Sequence, residues 1–156
     1  MKQFLFKNIA YPFARLYWKL FKPTTRGVRG LVMLGEKVLL VQHINNSYWS
    51  LPGGGIGKNE DPYKGLLREL REELQLLSGH ITSSYEFGTY INDTEGKRDS
   101  IIIFIIQVSD FKITTQYELK NAKWFPINNL PENVSPATKR RITEYLSGES
   151  MVRSTW

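Results

Sequence analysis

Apolar positions change period several times along this chain, and each change marks an element. Phe6, Ile9, Phe13, Leu16/Tyr17 and Leu20 recur at helical spacing with lysines and arginines between them, which predicts a helix from about Pro12 to Phe21 after a looser turn. Val28–Leu34 and Lys37–Gln42 are β-branched-rich runs around Gly35-Glu36, a hairpin signature. Tyr48–Leu51 reads as a short strand that runs into Pro52-Gly53-Gly54-Gly55. Asp61 and Pro62 cap and open a helix whose buried stripe is Leu66, Leu67, Leu70, Leu74 and Leu77.

Further on, Ile81–Tyr90 and Ser100–Val108 read as strands joined by a polar loop, Asn92–Asp99. The second contains IIIFIIQV, apolar on both faces, and belongs in the middle of a sheet. Glu118–Phe125 is a later strand, and Ser135-Pro136 starts a last helix that stops at Ser147-Gly148. Residues beyond 148 are expected to fray. Mixed strands with two helices after an opening hairpin predict an α/β fold, a three-layer α/β/α sandwich with a mixed sheet.

Residues 54–76, GGIGKNEDPYKGLLRELREELQL, hold most of the chemistry. On a helix Glu69, Glu72 and Glu73 point the same way, and Arg68 reaches Glu72 at i+4. A solvated acidic face would account for the glutamates alone. The glycine-rich turn and Glu60 upstream favour a cation site, and hard oxygen donors suit Mg²⁺ (or Mn²⁺), the usual companion of a substrate phosphate.

The stretch resembles the Nudix box of the MutT-like Nudix hydrolases, G-x5-E-x7-R-E-U-x-E-E-x-G-U, with U a bulky aliphatic residue. Gly54, Glu60, Arg68, Glu69, Leu70, Glu72, Glu73 and Leu76 meet it. Gln75 stands where the family has glycine, so the helix is expected to run about one more turn, to Ser78-Gly79. The resemblance implies the Nudix fold over residues 26–147, flanked by a basic aromatic segment (1–25) and a tail (148–156). It implies Glu69, Glu72 and Glu73 as metal ligands, one of them deprotonating the attacking water. Glu60 would support the metal shell and Arg68 would orient the carboxylates. Glu118, six residues before Trp124, is carried over as a further metal ligand; Asp93 and Glu95 are weaker candidates. Gly53, Gly54, Gly55 and Arg29 are taken as substrate contacts, the glycines because backbone free of Cβ can face a phosphate.

The implied activity is hydrolysis of the diphosphate linkage of a nucleoside diphosphate bonded to another group, with a MutT-like nucleoside triphosphate pyrophosphohydrolase favoured. A nucleotide-binding sensor and an RNA 5′-pyrophosphohydrolase are the alternatives. Tyr90-Ile91 lie where ADP-ribose pyrophosphatases carry their marker proline.

Composition narrows this further. The chain has 156 residues, enough for one domain, and no cysteine, which removes disulfides, thiolate sites and thiol nucleophiles. No apolar run approaches the roughly 20 residues of a membrane span, and the start is a poor signal peptide, so a cytoplasmic location is expected. Of the net +6, residues 1–30 supply +7, leaving −1 for residues 31–156, so the high pI does not argue for DNA binding. The basic segment has three readings: extra core, a homodimer contact, or a helix on an anionic membrane surface. His43, His80 and Lys139-Arg140-Arg141 are read as structural or solvated, and Trp49 as core rather than a base-stacking platform.

Overall fold

A computed structural model describes residues 24–94, 97–116, 118–149 and 152–156. The expected N-terminal helix and Glu95 lie outside these residues. The elements are β1 (Thr24–Leu34), β2 (Lys37–His43), β3 (Gly55–Ile56), α1 (Pro62–Leu74), β4 (Ile81–Thr94), β5 (Lys97–Val108), β6 (Leu119–Pro126), α2 (Pro136–Leu146) and β7 (Val152–Thr155). One mixed sheet runs β6-β2-β1-β5-β4-β7, with β3 paired to β1 off that path. β1 pairs parallel with β5, and β5 antiparallel with β4, so the doubly apolar IIIFIIQV strand is central.

Strand alternation sorts the core into two layers. Val28 and Val32 of β1, Leu39 and Val41 of β2, and Phe104 and Ile106 of β5 face α1, which contributes Leu66, Leu70 and Leu74. Leu31, Met33, Val38, Leu40, Ile103 and Ile105 face the opposite way, toward Ile142 of α2. This is the α/β/α sandwich that the pattern predicts. α1 comes close to β1 where Gly30 leaves room; a Cβ there would lie 3.5 Å from Leu66 Cδ1. The Asp61 side chain accepts from Lys64 N and Pro62 opens α1, and Ser135 caps α2 in the same way through Thr138 N.

Several expectations change. α1 stops at Leu74, because Gln75 itself turns left-handed at φ 55° and its N–H bonds back to the Arg71 and Leu70 carbonyls. Leu76 is then buried and Leu77 is 52% exposed, so Leu77 leaves the stripe. Tyr48–Leu51 forms only isolated bridges, Val41 with Ser50 and Trp49 with Val134. Asn92–Thr94 and Lys97–Asp99, expected as loop, continue the ladder, with Asn92 opposite Asp99 and Thr94 opposite Lys97. The tail is not frayed: Val152–Thr155 pairs parallel with Gly88–Ile91 of β4.

The tail is also anchored by Arg141, whose expected solvated setting is wrong. Arg141 is 1% exposed. Its guanidinium carbon lies 3.9 Å from the Tyr90 ring centre and 5.8 Å from that of Trp156. It donates to Thr155 O at 3.0 Å and to Glu144 at 2.7 Å. Trp49, as expected, is core, edge-on to Phe125 at 5.0 Å. No described helix is long and apolar enough to cross a membrane.

Candidate active site

Pro52, Gly53 and Gly54 run beside β1, held by Val28 N to Gly54 O and Gly30 N to Pro52 O, both 2.9 Å. This contact is possible only without side chains. Gly53 has φ 126°, and a Cβ there would sit 2.4 Å from Val28 O; a Cβ on Gly54 would sit 2.3 Å from Glu69 Oε2. The turn is therefore pressed between β1 and the acidic face of α1. Gly53 N–H donates to Glu73 Oε2 at 3.0 Å, and Gly55 O accepts from Arg68 at 3.2 Å.

Arg68 is hydrogen-bonded to three of the carboxylates. Its Nη1 donates to Glu69 Oε1 at 2.7 Å and to Glu72 Oε2 at 3.2 Å. Its Nε donates to Glu60 Oε1 at 3.0 Å. Those carboxylates hold the guanidinium firmly protonated. Glu60 also accepts from Gly57 N at 2.9 Å, and the bonds from Arg68 and Gly57 hold it below the usual carboxylate range. Glu60 thus braces Arg68 and the glycine turn.

Glu69, Glu72, Glu73, Gln116, Glu118 and Leu119 line one cavity of about 370 Å³. The helix supplies the first three acids, and the end of the 109–118 connection supplies Gln116 and Glu118. That connection is tied to α1 through Gln116 N to Glu73 O at 3.1 Å. The structure brings Glu118 to Glu69, Glu72 and Glu73 and leaves Glu60 off the cavity wall. Asp93 is in the β4–β5 ladder, opposite Arg98.

Glu73 is the buried member, its side chain 9% exposed. Burial pushes its carboxyl up to about 7, with Glu69 and Glu118 adding to the rise and Gly53 N–H and Arg29 opposing it. Arg29 reaches this region from β1; burial lowers its pKa while Glu73 and Glu69 raise it. Its Nη1 is buried with no hydrogen-bond partner among the described residues. His43, read from the sequence as structural or exposed, ends β2 with Nε2 3.9 Å from Glu73 Oε1. Burial and then Arg29 lower its pKa, so it is neutral near pH 7. Neither His43 nor Gln116 carries a local sequence signal; both arrive through strand register and a connecting loop.

An all-oxygen donor set of four carboxylates suits Mg²⁺ or Mn²⁺. Among the described residues no three acidic or imidazole groups form a preformed cage. Mg²⁺ does not require one, because it keeps several waters and takes one or two carboxylates plus substrate phosphates. A carboxyl pushed upward by burial, with the like charges of Glu69 and Glu118 adding to it, is also what a cation would relieve. The residues present fit such an ion.

A model of the NUDIX domain matches residues 23–146. The chain belongs to the Nudix family. It is a pyrophosphohydrolase of that family, whose members act on nucleotides and generally need a divalent metal ion. It is 28% identical over 120 residues to the ADP-ribose pyrophosphatase of Methanocaldococcus jannaschii, covering 74% of this chain and 69% of that one. Over 50 residues it is 42% identical to the RNA pyrophosphohydrolase of Azorhizobium caulinodans, 31% of this chain and 30% of that protein. In fold it is similar to the mutator MutT protein of Bacillus halodurans, with TM-score 0.69, 20% identity, and 83% and 88% of the two chains covered.

Proposed function

We propose that this Nudix enzyme hydrolyses the diphosphate linkage of a nucleoside diphosphate bonded to another group, using Mg²⁺ or Mn²⁺ in the four-carboxylate cavity. The observation that carries this reading is that cavity, whose Glu69 and Glu72 accept from Arg68 and whose Glu73 accepts from Gly53 N–H and feels the charge of Arg29. Glu69, Glu72, Glu73 and Glu118 would hold the cation, which supplies charge neutralisation at the phosphate oxygens and acidifies a bound water. Water oxygen attacks phosphorus, the phosphoanhydride P–O bond breaks, and a carboxylate of the cavity takes the proton. One water is consumed and two phosphates or phosphate esters leave.

The chain's own groups orient this step. Arg68 and Glu60 are positioning residues, fixing Glu69 and Glu72 through the contacts above. Gly53–Gly55 let the substrate's phosphates approach the backbone, and Arg29 offers a cation from β1. A nucleoside triphosphate, cleaved to the monophosphate and pyrophosphate, is the simplest substrate of this class. The test is release of phosphate and pyrophosphate from nucleoside triphosphates, nucleotide sugars, ADP-ribose and triphosphorylated RNA, with Glu73→Gln as control. Turnover of one class that vanishes in the variant is expected. Full activity in a folded Glu73→Gln protein would sink the assignment.

A further inference from the structure

A second, larger hollow lies on the other side of Arg68. It measures about 740 Å³ and is lined by Lys64, Leu67, Arg68, Arg71, Leu76, Leu77, Ser78, Gly79 and His80. Lys64, Leu67, Arg68 and Arg71 follow one another at i, i+3, i+4 and i+7, a single stripe along α1. This stripe is turned away from the core and lies beside the acidic face of Glu69, Glu72 and Glu73. Its lining holds three cationic side chains and no acid. Arg68 is engaged by glutamates, whereas Lys64 and Arg71 form no ion pair among the described residues.

The floor of the hollow has a different character. Leu77 is 52% exposed, thrown outward because α1 stops at Gln75 rather than running on. His80 is set by Leu77 N–H donating to its Nδ1 at 3.2 Å and by stacking on Phe111 at 5.4 Å, with the planes 25° apart. Cations along one wall and a fixed ring with apolar neighbours along the other are the two parts that single-stranded nucleic acid requires. The cations meet the phosphates and the ring and leucines meet the bases. A protein partner with a purely apolar helix would strand Lys64 and Arg71, and a positively charged segment would be repelled.

We propose that this hollow is a docking groove for single-stranded RNA. It would take the nucleotides downstream of a 5′ polyphosphate seated in the carboxylate cavity. The inference rests on the reaction proposed above and extends its substrate class from free nucleotides to RNA 5′ ends. Arg68 lines this hollow and donates to Glu69 and Glu72 on the wall of the carboxylate cavity, so it marks where the strand passes from one to the other.

The test measures binding rather than turnover. Fluorescence anisotropy with a 5′-monophosphorylated RNA of about 12 nucleotides, on the full chain in chelator, is compared between wild type and Lys64→Gln/Arg71→Gln. Two lost phosphate contacts should weaken binding on the order of tenfold and reduce the slope of log affinity against log salt by roughly 1.4. Lys64→Glu/Arg71→Glu should weaken it more, with thermal midpoint and nucleoside triphosphate turnover unchanged. RNA affinity and salt slope unmoved in both variants would overturn the proposal. So would a loss seen only with anionic lipid vesicles, which would make the groove a membrane surface. Because binding is read without catalysis, an enzyme inactive on every nucleotide whose RNA binding still depends on Lys64 and Arg71 would refute the reaction and keep the groove.

Discussion

Replacing Gln75 by glycine separates two accounts of how the box helix ends, because they give opposite signs. Gln75 sits at φ 55°, ψ 28°, one residue after Leu74, and its side chain is exposed. A residue with a Cβ pays about 1–2 kcal/mol to hold this left-handed conformation. Glycine removes that cost but loses roughly 0.5–1 kcal/mol to the greater freedom of the unfolded chain. The net gain expected of Gln75→Gly is therefore about 0–1.5 kcal/mol, centred on roughly 0.75, or a rise in Tm of up to roughly 6 °C for a domain of this size. Were the helix to continue through residue 75, the same change would place glycine in a helix interior and cost up to about 1 kcal/mol. Differential scanning calorimetry of wild type, Gln75→Gly and Gln75→Val decides it. Valine, β-branched, should be the least stable of the three. A Gln75→Gly protein that melts below wild type would refute the left-handed stop and, with it, the outward placement of Leu77.

Three other outcomes are expected. In metal-free protein the Glu73 carboxyl, raised from 4.5 to about 7, favours the folded state only while protonated. Stability should thus fall by up to about 3 kcal/mol as pH rises from the unfolded value of 4.5 to about 7, a fall that Glu73→Gln should not show in pH-dependent urea melts and that saturating Mg²⁺ should reduce. Gly54→Ala forces Glu69 Oε2 away from a contact of 2.3 Å, so turnover should drop at least tenfold with a smaller loss of Tm, as read by steady-state kinetics beside calorimetry. Arg141→Met leaves the carboxylate of Glu144 with only the Tyr90 hydroxyl, at 2.9 Å, among the described residues, and should cost about 2–4 kcal/mol in urea unfolding, with red-shifted tryptophan emission as Trp156 loosens.

Sequence carried the local features and missed those made by distant register. Asp61-Pro62 and Ser135-Pro136 announce their helices because a cap is chemistry within four residues. The alternation of β1, β2 and β5 assigns residues to the two core layers because a strand's period is fixed. Glu69, Glu72 and Glu73 share a face for the same reason. His43 comes near Glu73 only through pairing of β2 with its neighbours, and Gln116 reaches the cavity only through a loop folded onto α1. Arg141 looked solvated inside Lys139-Arg140-Arg141, since nothing local says that Tyr90, Glu144 and the C-terminal residues will enclose it. Gln75 misled for a more specific reason: its propensity favours a helix, and the closing bonds to Arg71 and Leu70 outweigh that preference.

Arg68 has a consequence for how the protein would live with a divalent ion. Its guanidinium meets Glu60, Glu69 and Glu72 at 2.7–3.2 Å, so the acidic face carries an internal counter-ion. Mutual repulsion among those glutamates is relieved by the chain itself, and folding need not wait for an ion from outside. On the proposed reaction, scarcity of divalent cation would then idle the enzyme without unmaking it, and supply of the ion would throttle rate rather than abundance.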